Sequence, residues 1–438
     1  MKLINLLLTA SLLLQPLSIK DEYDLIINQM SLREKVGQMF FIRLEALDPD
    51  YISDELSGKY IKHDILNDEM IDTYNEYPCG GIVLFAKNLN DERQLITLTN
   101  NIHNLNNRPL ICIDEEGGMV SRIANSNKFR VKKTPNSNTL TTYDDAYMQG
   151  YYIGSYLKKY HIDIDFAPVA DINSDSQNNV IGERSFGDNP IIVSTMVNAF
   201  ISGLHDNNII ACTKHFPGHG NSKDDSHLNE VNIEDTLEML KEEELVPFIN
   251  NLDISDMVMI GHIKTPNTTN DDLPASLSKE IITDILRDTY KYDGLVITDS
   301  FEMAAITKYY TNQEVALGAI DAGVDILLMP ENYREAFDTV VDAVNNNQIK
   351  EERINESVKR LLKLKTKYKL IEPYSITFLV IFTSRKMTNK VKEPSQELPW
   401  SQAFSGFCNS ITSHIRLKYV VFADFYCSHC GFSIRESY

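Results

Sequence analysis

The chain is 438 residues long, with 43% hydrophobic and 24% charged residues and a formal net charge of −20. That length holds one large barrel or a few smaller domains, and the composition is that of a globular protein able to bury a full core. A chain this acidic is repelled by nucleic acid and by anionic membrane, which excludes phosphate-backbone partners.

The sequence opens with Met1-Lys2, an apolar block from Leu3 to Leu14, and Gln15-Pro16-Leu17-Ser18. A basic start and an apolar block of about 12 residues match a secretory signal, whereas a membrane span needs about 20. Residues 1–20 therefore read as a signal-like segment of a secreted or periplasmic protein, without stable membrane insertion beyond it. The first helix of a cytoplasmic protein is the alternative. Cys79, Cys112 and Cys212 stand singly in or beside apolar runs and read as small core residues.

A helix-like segment follows Asp21 and ends near Val36. Apolar runs of strand length then recur at Gly37–Ile42, Gly81–Phe85, Leu110–Ile113, Ile162–Phe166, Ile209–Thr213, Met257–Ile260, Leu295–Ile297 and Val324–Met329. Between most of them apolar residues take helical spacing, as from Thr236 to Ile249 and from Leu277 to Leu286. Nearly continuous apolar strands alternating with helices indicate a parallel sheet covered on both faces. Eight such units predict an α/β fold, a (β/α)8 barrel of the TIM type forming a single catalytic domain over residues 21–372. A doubly wound sheet is the competitor, but no Gly-rich nucleotide fingerprint follows any strand. Lys350–Leu370 carries an amphipathic pattern suited to the outer ring, and Pro373 ends it. Residues 373–438 are a tail of different character. From 375 on they hold seven Lys/Arg against four Asp/Glu, the only Trp and three of the six Cys. A lone Cys427-Ser428-His429-Cys430 there is weak evidence for zinc or redox chemistry.

A barrel of this kind places its chemistry at the strand C-terminal ends. Those ends carry Asp114, Asp165 with Asp171, Lys214-His215, His262 and Asp299. Any one of them fits a structural cap; five on one rim point to a site. The richest stretch is Lys214–His227, which holds three of the ten histidines in a loop full of Gly, Asn and Ser. Three readings stand side by side. His215, His219, Asp225 and His227 are candidate metal ligands. His227 oriented by Asp225 is a candidate general acid/base. The stretch also reads as a surface loop with locally satisfied imidazoles. Asp299 is either a helix cap or a nucleophilic carboxylate in the barrel mouth, the latter pairing with an acid/base for double-displacement glycoside hydrolysis.

Lys-His-Phe-Pro-Gly-His-Gly at 214–220, followed by Asp225-Ser226-His227, resembles the signature of glycoside hydrolase family 3 in its bacterial β-N-acetylglucosaminidase branch. Further blocks are similar in the same order: Gly80–Phe85, Ile113–Gly118, Asp165–Asn173, Val180–Gly187 and Pro274–Leu277. The likeness runs from about Leu32 to Leu370 and leaves out the tail. It implies Asp299 as nucleophile, His227 with Asp225 as acid/base dyad, and Asp114, Arg122, Arg184, Lys214 and His215 as holders of the sugar. It implies N-acetylglucosamine as the glycone, on peptidoglycan fragments or chitooligosaccharides, and no cofactor or metal. A β-glucosidase-type enzyme, one transferring the sugar to phosphate, and a metal-dependent barrel hydrolase using His215, His219 and His227 are the alternatives. Met119, Asn221-Ser222 and Ser300 depart from the common pattern, and none removes a catalytic group. His219 is left to local loop structure. The sequence does not set the oligomeric state.

Overall fold

The computed structural model describes residues 22–51, 63–175, 177–222 and 230–371. The signal-like segment, the tail and the pair Asp225 and His227 lie outside the described residues.

Eight parallel strands form the centre: β1 (Phe40–Arg43), β2 (Gly81–Val83), β3 (Leu110–Ile113), β4 (Ile164–Asp165), β5 (Ile210–Phe216), β6 (Met257–Ile260), β7 (Leu295–Thr298) and β8 (Leu327–Leu328). Their order is β7-β6-β5-β4-β3-β2-β1-β8. The ring closes between β7 and β8 through the parallel bridge Ile297↔Ile326 and the bonds Ile326 N→Val296 O (3.0 Å) and Thr298 N→Ile326 O (3.1 Å). Each predicted run thus yields one strand of a (β/α)8 barrel.

Two cores follow from the period-2 alternation of side chains along a strand. Phe41, Val83, Cys112, Ile164, Cys212, Met257, Leu295 and Leu328 belong to the core inside the barrel. Their neighbours Phe40, Ile82, Ile111, Ala211, Val258 and Val296 belong to the core under the helices. Both faces are dry, which is why the strands read as unbroken apolar runs. Cys79, Cys112 and Cys212 are buried free thiols, and burial pushes all three above the usual thiol range.

The helices begin at residues suited to capping. Ser31, Thr142 and Thr311 each form a capping box with Glu34, Asp145 and Glu314, and Asn189 caps a helix whose first residue is Pro190. These caps also correct two expectations. The first helical segment is two helices, Glu22–Ile27 and Leu32–Gln38, because Ser31 starts the second. The segment Thr236–Ile249 is likewise two, Leu237–Glu242 and Val246–Ile249, interrupted by the non-helical backbone of Glu243 (φ −130°, ψ −83°) and by Pro247 near the second start. Glu280–Thr289 winds with π-type spacing. The helix Glu351–Lys367 does more than complete the outer ring: Leu361 and Leu364, with Tyr368 beyond its end, belong to the inner core and stopper the barrel's lower end. Among the described residues no helix is long and apolar enough to cross a membrane.

Candidate active site

The site is built at the C-terminal ends of β3, β4, β5 and β7. After β3 come Asp114, Glu115 and Glu116, the last two within the short strand Glu115–Gly117, which folds back on Val120–Ser121. The buried carboxylate of Glu115 accepts hydrogen bonds from the backbone N–H of Arg122 (2.7 Å), Ile123 (2.9 Å) and Ala124 (2.9 Å) and from the Tyr156 hydroxyl (2.8 Å). That cradle returns the chain so that Arg122 Nη2 reaches Asp114 Oδ2 at 3.1 Å. Asp165, at the end of β4, receives the N–H of Glu115 at 2.9 Å. Burial raises Asp165 well above the usual carboxylate range, and its bond to Glu115 makes it a structural group behind the site.

Strand β5 runs on to Phe216, so Lys214 and His215 are among its last residues. The Lys214 ammonium is 2% exposed as a residue and sits 2.9 Å from Asp114 Oδ1 and 2.6 Å from Glu116 Oε1. Arg184, brought in by the segment after β4, forks onto Glu116 with Nε–Oε2 at 2.9 Å and Nη2–Oε1 at 2.8 Å. Three cations and two carboxylates therefore form one ladder, Arg122–Asp114–Lys214–Glu116–Arg184. Burial opposes charge on Asp114, Glu116, Lys214 and Arg184, but the opposite charges outweigh it on all four. Asp114 is held well below the usual range by Lys214 and Arg122, and Glu116 is lowered to about 2 by Arg184 and Lys214. Lys214 and Arg184 are raised correspondingly. These four therefore favour their ionised forms at neutral pH.

Asp171 orients the other half of β5. One of its oxygens is 2.7 Å from His215 Nδ1, and the carboxylate also accepts from the N–H of His215 (3.1 and 3.2 Å) and of His219 (2.8 Å). Burial would raise Asp171, but His215 and these bonds lower it. His215 thus keeps Nδ1 on Asp171 and leaves Nε2 as its remaining polar atom. His219 is buried with its ring 6.1 Å from that of His215, and burial lowers its pKa. Its backbone is held by Asp171 and by Asn178.

Asp299 follows β7 directly. Its N–H donates to Ile260 O (2.8 Å), and its Oδ1 accepts the N–H of Ser300 (2.7 Å). His262 does not line the cavity. It stacks on Phe301 and lies between Ser276 Oγ and Ser300 O, each at 2.8 Å, supporting the Asp299 turn from behind. Because Nε2 faces a carbonyl, that nitrogen carries the proton.

Asp114, Arg122, Arg184, Lys214, His215 and Asp299 all border one cavity of about 470 Å³, walled on its apolar side by Phe85, Phe166, Met259 and Met303. A wider depression of about 780 Å³ lies at the opposite end of the barrel, beside Asp253, Lys291 and Arg360. It has no strand C-terminal end and no candidate residue. Sequence reading missed Glu116, although it lies in the block Ile113–Gly118; three cations assigned to one site demand more than one counter-charge. Asp171 was seen only as a charged strand end, since its bonds to His215 span 44 positions. Among the described residues no three His, Cys, Asp or Glu side chains could hold a metal. The metal reading thus turns on Asp225 and His227, outside the described residues.

The model of the glycosyl hydrolase family 3 N-terminal domain matches residues 31–364. The chain belongs to glycosyl hydrolase family 3. It is 32% identical over 331 residues to β-hexosaminidase A of Pseudoalteromonas piscicida, covering 68% of this chain and 55% of that protein. It is 35% identical over 277 residues to a β-hexosaminidase of Tolumonas auensis, covering 61% and 80%. Among solved structures it resembles a family 3 β-N-acetylglucosaminidase from Paenibacillus sp., with a TM-score of 0.71 and 33% identity over 78% of this chain and 63% of that one. The chain thus spans little more than half the length of the Pseudoalteromonas relative. The family's barrel domain accounts for the eight-unit pattern and for the ordered motifs between Leu32 and Leu370.

Proposed function

We propose that this family 3 chain is a retaining β-N-acetylhexosaminidase that removes terminal β-linked N-acetylglucosamine from peptidoglycan fragments or chitooligosaccharides. The observation that carries the proposal is the convergence of Asp114, Arg122, Arg184, Lys214 and His215 with Asp299 on one cavity at the C-terminal barrel face. The names of the relatives agree with it. In this reading Asp299 attacks the anomeric carbon and forms a covalent glycosyl-enzyme, while His227, held by Asp225, gives its proton to the departing glycosidic oxygen. Water then attacks the anomeric carbon, neutral His227 takes its proton, and the bond to Asp299 breaks. The charged ladder serves this chemistry because its members are already paired. Asp114 keeps free lone pairs to accept sugar hydroxyls, and the guanidinium groups keep N–H donors for hydroxyl and acetamido oxygens, so binding reorganises little. The signal-like start supports an exported protein.

The test is turnover of an aryl N-acetyl-β-glucosaminide against the matching β-glucoside, with and without phosphate. Release of free N-acetylglucosamine, at least about tenfold faster than glucose, is expected. Equal or faster turnover of the glucoside overturns the sugar assignment. A sugar phosphate as the main product in phosphate buffer overturns hydrolysis.

A further inference from the structure

The stretch leaving β5 is anchored more heavily than a surface loop needs. Asp171 receives two of its backbone N–H groups, as described. Asn178 Nδ2 donates to His219 O (2.8 Å) and Gly220 O (3.1 Å). Gly220 lies so close to the preceding rim segment that a Cβ there would come within 1.4 Å of Ile172 O. At its far side the loop returns through Val231–Asn232, which pairs with Ile263–Lys264, and Lys264 Nζ holds Glu230 at 3.0 Å. Asn221 Nδ2 ties the two stems together by donating to Asp235 Oδ2 at 2.9 Å.

Beneath Gly218 sits a group that neither the sugar-holding ladder nor the acid/base dyad uses. Gly218 has φ of +126°, and a Cβ on it would meet Glu244 Oε2 at 2.7 Å and Glu244 Cβ at 2.8 Å. Glu244 is only 1% exposed. The break between the helices Leu237–Glu242 and Val246–Ile249 turns it inward. Its Oε1 accepts the Ser174 hydroxyl at 2.7 Å, and its Oε2 has no hydrogen-bond partner among the described residues. Burial, with Asp171, Asp235 and Glu243 nearby, pushes its pKa up to about 8, so the carboxyl is neutral at neutral pH. Burying a half-satisfied carboxyl costs stability that an apolar side chain of the same size would not. Such a group calls for a reason in the position it holds.

We infer that Glu244 is a positioning residue for the acid/base loop: bonded to Ser174 and packed under Gly218, it sets the direction in which the stem carrying Asp225 and His227 leaves β5. The inference rests on the acid/base role proposed for His227. Its signature is a defect that depends on the leaving group, because only a poor leaving group needs the proton.

The experiment measures kcat/KM for aryl N-acetyl-β-glucosaminides from phenyl to 2,4-dinitrophenyl, a parameter that reports the glycosylation step. Glu244→Ala is expected to lose about ten- to a hundredfold on the phenyl glycoside and less than about threefold on the dinitrophenyl one. Glu244→Gln, which keeps the shape and the bond to Ser174, is expected to restore both to within about threefold. Activity on the dinitrophenyl substrate also shows that the variant is folded. If Glu244→Ala does not fold, Glu244→Asp, which withdraws the carboxyl from Gly218, takes its place with the same expected trend. Equal loss on every leaving group, or no loss on the phenyl glycoside, overturns the inference alone. A wild-type protein inactive on the whole series overturns the proposed function, and the inference with it.

Discussion

Lys214→Met offers the sharpest test of the charged ladder. The substitution keeps most of the side-chain volume and removes the ammonium that bridges Asp114 Oδ1 at 2.9 Å and Glu116 Oε1 at 2.6 Å. Removing one partner from a buried ion pair typically costs about 3–5 kcal/mol. The site itself gives a similar figure. Glu116 falls from 4.5 to about 2, which at roughly 1.4 kcal/mol per pH unit is about 3 kcal/mol shared between Lys214 and Arg184. Asp114 adds its own lowering. Arg184 and Arg122 remain, so the expected loss is about 3 kcal/mol, read as a shift of the urea unfolding curve followed by circular dichroism at pH 7. The sign with pH is fixed. Both carboxylates have folded-state values below their unfolded ones, so their contribution is complete above about pH 4.5 and disappears as pH falls toward 2. The gap between wild type and variant should therefore narrow in acid. A loss below about 1 kcal/mol at pH 7, or a gap that does not change with pH, refutes the ladder as a coupled unit.

Three other outcomes follow from the same geometry. Asp299→Asn should abolish turnover of an aryl N-acetylglucosaminide, while His227→Ala should spare activated leaving groups; equal, complete loss with every leaving group counts against His227 as the acid. Lys365 is buried and lowered to about 7 by burial, donating to Gln38 Oε1, Asn107 O and Arg108 O. In the unfolded chain it stays protonated to about pH 10, so stability should rise between pH 7 and 10. Lys365→Met should flatten that rise in denaturant titrations; an unchanged slope removes Lys365 as its source. Gly220→Ala forces a Cβ against Ile172 O, so the entry stem must shift. A loss of about 1–3 kcal/mol in unfolding free energy, with poor leaving groups slowed more than activated ones, is expected. Unchanged stability and rates would mean that the stem has room to move.

The sequence determined the barrel because each strand is buried on both faces and each helix on one. The resulting apolar runs and helical spacings are local properties, visible without any partner. It also supplied the chemical groups, since Asp114, Lys214-His215 and Asp299 each follow or end such a run. What it did not determine was pairing at long range. Glu116 bridges Lys214 and Arg184 from 98 and 68 positions away. Asp171 commits His215 across 44, and Glu244 meets Ser174 across 70. A carboxylate in a sequence reads as solvated until the fold removes the water around it. Lys365 shows the same limit in reverse: it stands on an amphipathic helix among charged neighbours, yet the barrel's lower end buries it. Tertiary structure decided which charges are held dry and paired, because that depends on which strand ends converge, and no local pattern records it.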